Sequence, residues 1–81
     1  MDSYTPLDLY EARNALWIAI WAGADKNAAD LFDKALRLLQ RAEAFHASRR
    51  GTNAVVTAAR ESIQTAENAR VTAVRGRLRR S

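Results

Sequence analysis

The 81 residues contain no cysteine, which excludes a disulfide scaffold and any thiolate metal site. There is one histidine, His46, with neither a second histidine nor a cysteine to complete a zinc set, so it reads as a packed or helix-ending side chain. Long hydrophobic runs are also lacking. The longest, Ala15 to Ala22, has eight apolar residues, where a bilayer span needs roughly 20. It comes after a mixed, acidic segment rather than the basic lead-in of a signal peptide, so the chain reads as soluble, with no membrane span and no signal peptide. Glycine-rich phosphate loops, carboxylates paired across a cleft, and a nucleophile beside a base are likewise missing. Glu43 and Glu61 read as solvated helix residues. The expectation is a non-enzyme with no catalytic, metal or cofactor residues.

A formal charge of +4 invites a polyanion partner until the charges are located. Arg70, Arg75, Arg77, Arg79 and Arg80 contribute +5, so the rest of the chain sums to −1. Nucleic-acid domains carry their basic residues on the folded face that docks. Here only the end of the chain qualifies, as a candidate polyanion-binding tail, and a solvated helix end is the favoured reading.

What the chain does have is helical periodicity. Thr5-Pro6-Leu7-Asp8 reads as a helix start: Thr5 caps, Pro6 takes the first helical position, Asp8 returns a hydrogen bond, and Tyr4 with Leu9 forms a hydrophobic staple. Leu9, Ala12, Leu16, Ala19 and Ile20 share one face, and Gly23 supplies a left-handed cap after about Ala22. Tyr10, Trp17 and Trp21 form a second stripe, with Asn14 between them and Ile18 nearby. Because the first helix is apolar on more than one side, it must be covered on more than one side. The sequence favours burial inside the fold for Trp17. It leaves Tyr10 and Trp21 open between burial and a candidate partner face, since tryptophan and tyrosine commonly anchor interfaces.

Ala24 to Asn27 reads as a turn, with Asp25 or Asn27 capping the second helix. Ala28, Leu31, Ala35, Leu38, Leu39, Ala42 and Phe45 then repeat with a 3.6 period, backed by Phe32 and Leu36, while Asp30 with Lys34 and Asp33 with Arg37 pair on the outer face. Gly51 ends this helix after Arg49 and Arg50. The third helix opens at Thr52 or Asn53. Its inner face, Val55, Val56, Ala59, Ser62, Ile63, Ala66, Ala69 and Ala73, is mostly small, which lets backbones approach closely. Gly76 weakens the helical tendency near the end of the chain. The expected architecture is an all-α, antiparallel up-down-up three-helix bundle with helices at about 6–22, 28–50 and 53–75. Residues 1–75 then form one domain, and 76–81 a basic flexible tail or the start of a helical linker.

Four segments carry a resemblance: Leu9-Tyr10-Glu11-Ala12-Arg13-Asn14-Ala15-Leu16; Trp21-Ala22-Gly23-Ala24-Asp25-Lys26; Ala35 and Leu39 with Ala42-Glu43-Ala44; and Ala59-Arg60-Glu61 through Thr65-Ala66-Glu67-Asn68-Ala69-Arg70. Together, over roughly residues 7 to 74, they resemble a bacterial envelope helical domain of unknown function, found in lipoproteins and ahead of OmpA-like peptidoglycan-binding domains. The resemblance implies an excised amino-terminal module that spaces, docks or oligomerises a periplasmic or outer-membrane protein. Together with the doubly apolar first helix it points to a protein partner or self-association through that helix, and it implies peptidoglycan contact only through a separate domain. The chain departs from that pattern in having no signal peptide or lipid-bearing cysteine and in ending in arginines. The alternative from another class is a small nucleic-acid-binding protein using its basic tail.

Overall fold

The computed structural model describes residues 6–80, and among them the chain is entirely helical, without a strand: α1 (Leu7–Trp21), α2 (Ala24–Asn27), α3 (Ala29–Ala47) and α4 (Thr52–Arg80). Pro6 stands one position ahead of α1 rather than inside it, and its carbonyl accepts from the Leu9 N–H at 3.0 Å. Among the described residues no side chain caps α1. Thr5 and Tyr4, the expected cap and staple, lie outside the described residues. Asp8 instead turns toward α4, 3.8 Å from Arg60.

Gly23 ends α1 as expected, at φ +85, with its N–H donating to the Ile20 carbonyl at 2.8 Å. A Cβ there would be disfavoured by the backbone and would meet Asn27 Nδ2 at 3.0 Å. The expected turn over Ala24 to Asn27 is in fact one helical turn, α2, held by Asn27 N–H to Gly23 O (2.8 Å) and Ala28 N–H to Ala24 O (2.9 Å). Asp25 and Asn27 therefore sit inside α2. The capping position of α3 falls to Ala28, at φ −146 and ψ 48, and no side chain caps α3. The location of the break is accounted for by burial, because Ala24 is completely enclosed and anchors α2.

α3 stops at Ala47, three residues before the expected 50. The Arg50 N–H reaches back to Phe45 O (2.9 Å) and the Arg49 N–H to His46 O (3.2 Å). That is the six-to-one and five-to-two pattern of a Schellman motif. It requires a left-handed residue at its turn, and Arg49 takes that place at φ +59, leaving Gly51 (φ +105) outside the motif. α4, by contrast, runs past the expected end near 75 and through Gly76 to Arg80. One helical glycine costs about 1 kcal/mol relative to alanine, while the flanking arginines and leucine are good helix formers. At 1.5 Å per residue the 29 residues of α4 extend roughly 43 Å, most of the 47 Å length of the molecule.

The inward residues alternate three and four apart in each long helix: Leu9, Ala12, Leu16 and Ala19 on α1; Ala35, Leu39 and Ala42 on α3; Val55, Ala59, Ser62, Ala66, Ala69 and Ala73 on α4. This is the spacing of helices packed at a shallow angle. Ten of the fourteen buried apolar residues are alanine, and only Leu9, Leu16, Leu39 and Val55 are larger. The consequence is a thin core, because each buried methylene contributes only about 0.8 kcal/mol. One cluster joins Leu9, Leu16, Leu39 and Val55 with Phe32, Phe45 and Ile63 at its margin, and a second joins Ala19, Ala24, Ala69 and Ala73. α4 is the spine: its contacts with α3 and with α1 are extensive, whereas α1 and α3 touch sparingly.

Candidate functional site

Because α1 lies mainly against α4, only one of its two apolar stripes is covered. Leu16 is buried and Ile20 half-buried on the inner side. On the outer side Leu7 (69% exposed), Tyr10 (54%), Trp17 (58%), Ile18 (40%) and Trp21 (78%) face water. This corrects the expected burial of Trp17. The helical period shows that a side is apolar, but not whether the fold holds a neighbour to cover it, and here α1 touches α3 only sparingly. The structure does bring Tyr10, Trp17 and Trp21 onto one exposed face. It adds Leu7, expected only as a helix-start residue. The signal was available in the spacing, since Leu7, Tyr10, Asn14, Trp17 and Trp21 repeat at three and four.

The rim of this face is fixed by Arg13. Its Nε donates to Glu43 on α3 at 2.9 Å, and its guanidinium lies over the Tyr10 ring, 5.6 Å from the centroid. Arg13 thus joins the sparse α1–α3 seam and holds Tyr10 in place. The pair is about 40% exposed on each side, so it contributes at most about 1 kcal/mol and serves orientation more than stability. The face itself carries the Asn14 amide at its middle and the exposed Glu11 carboxylate at its edge beside Ile18. A monomer that buries alanines while wetting both tryptophans reverses the usual order of burial, and a contiguous apolar patch of this kind marks an interaction surface.

The arginines near the end of the chain lie on helix, the second of the two forms expected for residues 76–81. Arg70, Arg75, Arg77, Arg79 and Arg80 all belong to α4, with Arg70 partly covered and Arg75 and Arg77 exposed. At 100° per residue, Arg70 and Arg77 share a side and Arg75 points about 140° away. Positive charge therefore stands on two sides of this part of α4 rather than along one stripe.

A shallow groove of about 380 Å³ lies where α3 ends and α4 begins, lined by Arg41, Phe45, Asn53, Thr57 and Glu61. Two guanidiniums flank the Phe45 ring, Arg41 at 5.8 Å and Arg50 at 5.4 Å from its centroid. They shield the edge of the core from water. His46 is half-buried in the last turn of α3, and its carbonyl serves the Schellman motif. Among the described residues no group of three or more histidines, cysteines or carboxylates could hold a metal, and no helix is long and apolar enough to cross a membrane.

Compared with protein-family models, curated proteins and solved structures, the chain shows no match. The aromatic face is therefore read on its own chemistry.

Proposed function

We propose that this chain is a non-catalytic helical docking module whose working surface is the outer face of α1. The observation that carries the reading is the exposure of Leu7, Tyr10, Trp17 and Trp21 along one stripe of one helix. Tryptophan and tyrosine supply large, rigid contact area and dominate interface energetics. In this reading the three long helices form an antiparallel up-down-up bundle with α2 as a corner. Asp8 beside Arg60, Glu43 bound by Arg13, and Ser62 bonded to Ala35 support that course of the chain. The setting we assign, the periplasm or outer membrane of a bacterium within an OmpA-type or lipoprotein architecture, rests on the resemblance of the alanine-rich segments. Any contact with peptidoglycan then belongs to a separate domain.

The test is site-specific photo-crosslinking in cells. A photoreactive residue replacing Trp21 should give a discrete protein adduct, and the same residue replacing Arg37, exposed on α3, should not. Equal labelling at both positions would remove the support for docking.

A second reading is favoured by one observation. Arg75 and Arg77 are exposed at the end of α4, and no acidic residue comes after Glu67. A polyanion such as nucleic acid would meet positive charge there on two sides of the helix.

A further inference from the structure

We infer that the occupant of the α1 face is a second copy of this chain, laid antiparallel so that Asn14 meets Asn14 on a two-fold axis. The inference rests on reading that face as a docking surface, and it names the partner.

Area is the first argument. With aromatic side chains offering about 150–250 Å² each, the exposed parts of Leu7, Tyr10, Trp17, Ile18 and Trp21 amount to roughly 600 Å². Two copies would bury about 1,200 Å², the lower edge of the range for stable, specific interfaces.

The pattern points the same way. Leu7, Tyr10, Asn14, Trp17 and Trp21 follow one face of α1 at three-four spacing, and the one polar member stands at its centre. A lone amide among apolar contacts selects the arrangement that gives it a hydrogen-bonding partner, because burying it unpaired is costly. An amide is both donor and acceptor, so it is satisfied by another copy of itself. With Asn14 on the axis, Leu7 lies opposite the partner's Trp21, and Tyr10 opposite the partner's Ile18. Trp17 lies opposite the partner's Glu11, where an indole N–H can donate to a carboxylate. Each pairing occurs twice, as a two-fold interface demands.

Charge favours this direction at low salt. Ala19 and Ala24 cluster with Ala69 and Ala73, so the arginine-rich end of α4 lies at the pole where α1 finishes. A parallel pair would bring two such ends together, whereas an antiparallel pair sends them to opposite poles.

The experiment uses the full chain, whose lack of native cysteine makes single substitutions unambiguous. Asn14→Cys should form a disulfide-linked dimer under mild oxidation, because the two sulfurs meet at the axis. Leu7→Cys alone should not, since its symmetry mate lies about 20 Å away along the helix. A mixture of Leu7→Cys and Trp21→Cys should cross-link. The unsubstituted chain should sediment as a dimer at about 100 µM, as expected for an interface of this size. Self-linkage of Leu7→Cys as strong as that of Asn14→Cys would overturn the antiparallel pairing. A monomer at that concentration, with no Asn14→Cys linkage, would overturn the second copy as occupant. The photo-crosslinking at Trp21 would then separately judge docking to another protein.

Discussion

The hydroxyl of Ser62 donates a 2.7 Å hydrogen bond to the carbonyl oxygen of Ala35, and it does so completely buried at the contact between α4 and α3. In a seam otherwise apolar and rich in alanine, this bond ties the spine to its main neighbour at a fixed register. Ser62→Ala should lower stability by about 1 kcal/mol, the net value of one such bond. Ser62→Val loses the same bond and adds a methyl where the helices are closest, and should cost about 1–3 kcal/mol. Urea denaturation midpoints at constant slope measure both.

The two left-handed residues make opposite predictions. Gly23 needs its positive φ and has Asn27 beside it, so Gly23→Ala should destabilise by about 1–2 kcal/mol. Arg49 holds the left-handed position of a Schellman motif at φ +59 against its preference. Arg49→Gly should therefore stabilise by about 1 kcal/mol. Thermal melting of the two variants beside the parent checks the pair.

Exposure on α1 separates surface from core on the same helix. Trp21→Ser should leave helicity intact and change monomer stability by no more than about 0.5 kcal/mol. Leu16→Ala, one stripe away and buried, should cost about 2–4 kcal/mol. Equal losses from the two would mean that Trp21 is covered within the monomer. Circular dichroism under denaturant, at a concentration where the chain is monomeric, decides it.

The arginines near the end of α4 can be weighed by salt. A nucleic-acid role using five phosphate contacts requires duplex affinity to fall with a logarithmic slope of roughly −4 to −5. The docking account expects no saturable binding at about 150 mM salt, where exposed charges are screened beyond about 8 Å. Fluorescence anisotropy with a labelled duplex distinguishes the two.

Much of this architecture was legible in the residues. Leu9, Leu16, Ala35, Leu39, Ala42, Ala59, Ser62, Ala66 and Ala69 announce themselves by period, and Gly23 announces its turn because a backbone of positive φ favours glycine. The end of α3 was not legible, because the rule that glycine takes the left-handed turn fails where Arg49 takes it two residues earlier. Nor was α2: the buried methyl of Ala24 outweighs the capping preferences of Asp25 and Asn27, and composition does not reveal which alanine is enclosed. The length of α4 was hidden by Gly76, whose local cost is smaller than the helix-forming tendency on either side. The exposure of Trp17 depends on the sparse contact between α1 and α3, a fact of arrangement that no single-helix pattern contains.

The central claim is that α1 offers its aromatic side to the outside of the folded chain, and acrylamide quenching of tryptophan emission from the sedimenting monomer tests it most directly. The account predicts quenching of Trp17 and Trp21 close to that of free indole, with the helical signal undiminished. Strong protection of both indoles in that same monomer would contradict it.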